Sequence, residues 1–291
     1  MGEKTLLNGE GLAISFSDYK NLVIPNGCVG FTPRAYEDLG ASANERESIS
    51  VEDGNTKFVS INNCLIETET GKVVLGCKNS VIPENENIEI IGHHAFMGIG
   101  DCESENRDIF NYINIPSGVK VIENHAFADS GLIDITLPDG LKEIGSMAFM
   151  LTRIGMGGKR IMIPYTVEKL GIGVFTGCTE LRRPFIHSDR YMSECDCIVD
   201  TETNTIIAVH NGIAGEILPI SADRIEMLTF MGQKNGVKYY FEDNIKEIKT
   251  HPLGLPTAIE FPITMVVNQD SYAHNFAIEH NIPFEFYGKK E

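Results

Sequence analysis

The 291-residue chain predicts a repeat solenoid of short parallel strands and turns, and three observations carry that prediction. An Ile/Leu-Pro pair is followed 11 residues after its Pro by a Phe at four places: Pro116 and Phe127, Pro138 and Phe149, Pro164 and Phe175, Pro219 and Phe230. Apolar or small residues fall in step inside those units, as Val119, Ile122 and Ala126, then Leu141, Ile144 and Ala148, then Val167, Leu170 and Val174, then Ala222, Ile225 and Thr229. The closest repeats lie 22, 23 and 26 residues apart, within the roughly 20–29 residues of short-strand solenoid units.

A single unit shows why the pattern repeats. From Ile133 to Leu137 apolar and polar residues alternate, which suits a short strand with Ile135 and Leu137 inward. Pro138 lacks an N–H and fixes φ, so the strand ends there, and Asp139-Gly140 supplies a turn. Leu141, Ile144 and Ala148, spaced by three and four, predict one helical or 3₁₀ turn facing the same core. Phe149 fills the space between strand and turn, and burying such a ring stabilises by about 1.5–3 kcal/mol. One unit cannot cover its own apolar face, so neighbours must stack.

Poorer copies extend the period. Ile24-Pro25, Phe31 and Ala35-Tyr36 keep the offset of 11 with Tyr for Phe, and Ile82-Pro83 to Ala95-Phe96 carries two extra residues. Tyr239, Phe241, Ile245 and Ile248 form a degenerate unit with Glu242 at the Pro position, and Ile259, Phe261 and Pro262 open a last, unfinished one. About eight units result. Two long gaps hold related inserts: Cys64 to Leu75 aligns without gaps to Cys197 to Ala208, with a polar turn at Gly71 or Asn204, so each reads as a β-hairpin. Residues 1–291 thus form a single repeat domain, with a first block over 22–175 (hairpin insert 58–77) and a second over 176–262 (hairpin insert 191–210). A cap spans 263–291. In that cap Asp270 and Ser271 start a short helix with Ala273, Phe276, Ala277 and His280 on one face. Asn281 ends it, and Ile282 to Tyr287 closes the stack as a strand.

Composition narrows the function. With 41 acidic and 24 basic side chains the formal charge is −17, which disfavours nucleic acid and anionic membrane surfaces. A 42% hydrophobic fraction argues for a packed core rather than disorder. No apolar run is long enough to span a bilayer, and Met1 to Asn8 lacks a signal-peptide pattern, so either the chain is cytoplasmic or a leader has been trimmed. Leu6 at the sixth position excludes a myristoylation motif after Met1-Gly2.

The strings Ile-Pro-x-x-Val-x-x-Ile-Gly-x-x-Ala-Phe and Phe175-Thr176-Gly177-Cys178 resemble the BspA-like class of leucine-rich repeats. So do Asn63-Cys64-Leu65-Ile66 through Gly76-Cys77-Lys78-Asn79-Ser80-Val81-Ile82-Pro83, and the C-terminal stretch Ser271-Tyr272-Ala273 to Ile282-Pro283-Phe284. The resemblance spans about Leu22 to Tyr287. It implies a right-handed coil of short parallel strands and a surface or secreted protein of host-associated bacteria or protists, engaged in adhesion and host-protein binding rather than catalysis. It carries no catalytic residue.

Chemistry-bearing residues are few. His94 and His125 occupy one slot in consecutive units, directly before Ala-Phe, with His93 adjacent; stacked coils place equivalent positions about 5 Å apart, a weak metal-site candidate on a surface where solvated histidines are the default. Cys64 and Cys77 flank the first hairpin and lie opposite each other only if no bulge intervenes, while the second hairpin has His210 in place of Cys77. Cys195 and Cys197 alternate along a strand, and Cys178 takes a core slot. Asp101, Glu103, Glu105 and Asp108 form the densest acidic cluster, a calcium candidate without a recognised loop pattern. Gly155-Met156-Gly157-Gly158 reads as an expanded turn, and no nucleophile elbow, phosphate-binding loop or zinc-protease motif is present. The expected function is therefore a non-catalytic protein- or glycan-binding module without cofactor, using the outward strand positions Val23, Asn114, Thr136, Met162 and Glu260. The alternatives are an intracellular scaffold and, less favoured, an enzyme on a solenoid frame.

Overall fold

The computed structural model describes residues 5–16, 18–84, 87–100, 112–182, 184–194, 196–210, 217–233 and 236–288. They form a β-solenoid of about 11 turns with few helices. Each central coil carries two short strands and a corner. The strand before the Ile/Leu-Pro pair belongs to one face, where Tyr112–Asn114 runs parallel to Asp134–Thr136, and Met162–Ile163 to Phe185–Ile186. The second strand belongs to another ladder, Ile90–Ile91, Val121–Ile122, Glu143–Ile144 and Lys169–Leu170, in which Ile91, Ile122, Ile144 and Leu170 stand in register and are buried. Here the helical turn predicted over Leu141, Ile144 and Ala148 is corrected: Glu143–Ile144 is a two-residue strand, with Leu141 before it and Ala148 in the turn after it, all three buried. Parallel partners on both sides satisfy the strand's backbone groups, and Ile144 reaches the core either way.

The corner after the second strand has a fixed conformation. Two residues before each Phe, the chain enters the left-handed region: His94 (φ 58°), His125 (56°), Met147 (54°), Gly173 (64°) and Leu228 (59°). It does so again two residues after, at Gly98, Asp129, Leu151, Gly177 and Gly232. These two reversals turn the amides of the corner along the solenoid axis, so coils hydrogen-bond through their corners as well as their strands. The N–H of Phe96 donates to Ala126 O (2.7 Å), that of Phe127 to Ala148 O (2.8 Å) and that of Phe149 to Val174 O (3.0 Å). Inside this corner the four rings Phe96, Phe127, Phe149 and Phe175 form a near-parallel stack at 5.2, 5.4 and 5.5 Å, all fully buried.

Both inserts are hairpins as read, each extended by a preceding antiparallel strand. Phe58–Ile61, Cys64–Glu67 and Lys72–Leu75 join the second ladder through Val73 and Ile91, making a seven-stranded sheet. Tyr191–Glu194, Cys197–Asp200 and Thr205–Val209 lead likewise into Arg224–Ile225 and Glu247–Ile248. The hairpins carry bulges at equivalent places, Leu65/Ile66 and Ile198/Val199.

Near the ends the chain departs from the period. After Asn21–Ile24, a nine-residue helix Pro33–Ala41 replaces the corner, with Thr32 as N-cap accepting from the Ala35 amide and Pro33 in the first turn. In the C-terminal part Ile217–Ile220, Lys238–Phe241, Thr264–Val267 and Phe284–Phe286 form one parallel sheet in which Pro219 faces Tyr240, two residues from the expected partner Glu242. Phe261-Pro262 precedes the last coil's strand rather than forming it. The closing helix Tyr272–Glu279 is capped by Ser271, whose side chain accepts from the His274 amide, and buries Ala273, Phe276 and Ala277. His274 is buried with them, while His280 is the C-cap. Ser271→Ala is expected to cost about 1 kcal/mol of stability in urea unfolding, through loss of that cap.

Candidate functional site

The outward strand positions can be followed coil by coil. Val23 is 44% exposed and faces Ser50 across the N-terminal strand pair. Asn114 and Thr136 are exposed and directly paired. Met162 is 62% exposed and pairs with Phe185, itself 56% exposed. Two large apolar side chains thus stand side by side in solvent, with exposed Tyr165 two residues past Ile163. The Tyr165 hydroxyl donates to Asp189 Oδ2 (3.1 Å), and its ring lies 5.4 Å from that of His187.

Glu260 does not belong to this face. It ends the short helix Thr257–Glu260, where the amides of Ile259 and Glu260 bond to Pro256 O, and it is only 3% exposed. Its Oε1 accepts from the His251 amide at 2.6 Å, which satisfies the carboxylate inside the fold. Phe185 escaped sequence reading because its coil has no Ile-Pro pair: Pro184 precedes the strand and His187 follows Ile186.

A second feature is duplicated. Each hairpin floors a groove, one of about 600 Å³ and one of about 460 Å³. Val59 and Met192, Ile61 and Glu194, Ile66 and Val199, Thr68 and Thr201, and Gly71 and Asn204 occupy corresponding places in the two linings. Both carry acidic groups, Glu67, Glu69 and Glu89 in the first, Glu194 and Glu242 in the second.

The cysteines are structural in placement. Cys28, Cys64, Cys77 and Cys178 are free thiols, and they and Cys197 are buried. The bulge in the first hairpin displaces Cys77 from Cys64, and its Sγ donates to Glu47 O instead (3.3 Å). Burial pushes the Cys64 and Cys178 thiols up to about 12, far from a reactive thiolate. Cys195 and the acidic cluster Asp101, Glu103, Glu105 and Asp108 lie outside the described residues. Gly155–Gly158 is an irregular turn in which Gly155, Gly157 and Gly158 all hold left-handed backbone.

The histidines come together. His94 and His125 sit in the same left-handed slot of adjacent coils with rings 5.2 Å apart, and His93 stacks on His94 at 3.7 Å. Burial, then the charge His93 and His125 would carry, pushes His94 down to about 4; burial, then His93, lowers His125. Tyr36, its hydroxyl pushed up to about 12 chiefly by burial, stays protonated and donates to His93 O at 2.6 Å.

Residues 99–211 match the family model described as the BspA type leucine rich repeat region, in six copies. Residues 99–211 are thus similar to BspA-type leucine-rich repeats. The matched segment is narrower than the span from Leu22 to Tyr287 over which the motifs read. No curated protein matches the sequence. Among solved structures, the pneumococcal vaccine antigen PcpA is similar, at 15% identity over 94% of this chain and 56% of that one, with a TM-score of 0.45. A leucine rich cell surface protein from Faecalibacterium prausnitzii A2-165 is similar at 14% identity over 84% of this chain and 69% of that one, with a TM-score of 0.47. A leucine-rich repeat protein from Bacteroides ovatus ATCC 8483 is 14% identical over 98% of this chain and 65% of that one, with a TM-score of 0.31. The chain thus spans a little over half the length of the pneumococcal protein.

Proposed function

We propose that this BspA-type repeat protein is a non-catalytic binding module that engages a protein through the strand face containing Met162 and Phe185, in an adhesion or host-contact role at a bacterial surface. The observation that carries the reading is the pairing of those two exposed side chains across one ladder step. A stacked sheet holds them rigidly, so little side-chain or backbone freedom is lost on contact. Aromatic and Met side chains are the types enriched in interface cores. Tyr165 widens the patch, and the paired, exposed Asn114 and Thr136 hold the corresponding outward positions of two preceding coils. Among the described residues, the carboxyl groups with displaced acidity are held low rather than raised: Glu47 by Lys78, Glu67 by Lys57, Asp223 by Lys246, and Asp18 by the Asn21 amide. That pattern fits ion pairs and turn caps, not a general acid.

The test is capture of host extracellular proteins and a glycan array with the wild type, Met162→Glu and Met162→Glu/Phe185→Ser. Both variants should unfold within about 0.5 kcal/mol of the wild type, while affinity for a protein partner should fall by roughly tenfold or more. A specific partner bound equally by all three, or a glycan as the sole ligand, would overturn the assignment to this face.

A further inference from the structure

We propose that His93, His94 and His125 form a zinc site on the corner side of the solenoid. The inference is independent of the strand face. One ring nitrogen from each residue lies within 4.8 Å of the other two, and the three residues come from two adjacent coils. Three imidazoles are a sufficient protein ligand set for zinc, leaving a fourth position for water or a partner's side chain. Zinc–nitrogen bonds of about 2.0–2.1 Å bring the ligand atoms closer together than this. His93 is exposed, so solvent and a metal ion reach the set from its side.

The surroundings prepare these rings as ligands. His93 Nδ1 is 2.8 Å from Asn124 O; since a carbonyl only accepts, Nδ1 carries the proton and Nε2 keeps its lone pair. The same residue is held at both ends of its peptide, its N–H donating to Glu123 Oε2 (2.7 Å) and its carbonyl accepting from Tyr36. Glu123 is fixed in turn by Lys72 at 2.7 Å. Such hydrogen-bonded support is what metal-binding histidines use to set orientation and tautomer. Nδ1 of His125 is buried and finds no hydrogen-bond partner among the described residues, a donor atom without an occupation inside the fold. Both His94 and His125 hold left-handed backbone, where Met147, Gly173 and Leu228 serve in other coils, so the slot itself does not call for histidine. Adjacent placement of two in that slot, with a third beside them, is the arrangement to explain.

The full chain, stripped with a chelator, is titrated with zinc by calorimetry and followed by thermal melting. The proposal expects one zinc per chain and a melting temperature raised by roughly 5 °C at saturating metal. His93→Ala, and His94→Asn, which keeps left-handed backbone accessible, should each melt like the wild type without metal. Each should weaken zinc binding by at least about tenfold. Cobalt in place of zinc should show tetrahedral d–d bands without a thiolate charge-transfer band. Absence of saturable binding, binding unchanged in both variants, or a thiolate band that assigns the metal to cysteines would each overturn it.

Discussion

Phe149→Ala is expected to lower unfolding free energy by about 3–5 kcal/mol, with a matching fall in the urea midpoint. The ring is wholly buried and stacks on Phe127 at 5.4 Å and Phe175 at 5.5 Å, so truncation removes a contact on each side and leaves a cavity in the middle of the column. Its backbone is equally committed: the N–H bonds to Val174 O, while the carbonyl accepts from Thr152 Oγ1 and Cys178 Sγ. Stability in a stacked array is close to a sum of unit and neighbour terms, so a break here uncouples the coils on either side. Unfolding should lose cooperativity as well as shift, with amides on the two sides exchanging at different rates. A loss below about 1 kcal/mol would mean that the column is not the main support of the array.

Gly171→Ala should be comparably damaging for the opposite reason, too little space. A Cβ there would lie 2.1 Å from Ser146 N, 2.3 Å from Gly145 C and 2.4 Å from Ser146 Cα, all backbone atoms of the preceding coil. No side chain can swing away, so the coils must separate, and the Gly171 N–H to Ile144 O bond of 2.8 Å weakens with them. Overpacking and the strained hydrogen bond together should cost about 3 kcal/mol. Gly40→Ala is the control, since it lies in the helix Pro33–Ala41 with nothing within 4 Å of its Cβ. It should raise stability by roughly 0.5–1 kcal/mol. Calorimetric or urea unfolding of the three proteins checks both the sign and the order.

Much of this architecture is legible in the residues because each signal has one physical solution. The offset of 11 between Pro and Phe forces a strand end and a core ring into every coil, and the hairpins announce themselves by gapless alignment. The misread parts have two solutions. Ile144 reaches the core from a helical turn or from a strand, and only neighbouring coils on both sides decide for the strand. Pro219 and Glu242 match in motif but not in register: Pro219 stands inside its strand, while Glu242 follows the end of Lys238–Phe241. Thr32-Pro33 signalled a helix start, masked by the apparent continuation of the period through Phe31 and Tyr36.

The candidate sites show the same division. Val23, Asn114, Thr136 and Met162 face outward because strand alternation leaves them no choice, while Glu260 was assigned by motif to a strand that does not exist. The pairing of Met162 with Phe185 and the meeting of three histidines depend on stacking, which brings together residues distant in sequence. His94 and His125 shared a recognisable slot; the approach of His93 required the left-handed corner, which no residue type at that position announces.

Native-state hydrogen exchange read at single amides tests the central claim, that coils stack through strands and corners alike. The amides of Phe96, Phe127 and Phe149 each donate to the next coil, to Ala126, Ala148 and Val174. They should be protected to nearly the same high level as the strand amides of Ile122 and Ile144. Exchange of the three Phe amides at the rate of open chain, with the strands still protected, would contradict a solenoid whose corners are hydrogen-bonded along its axis.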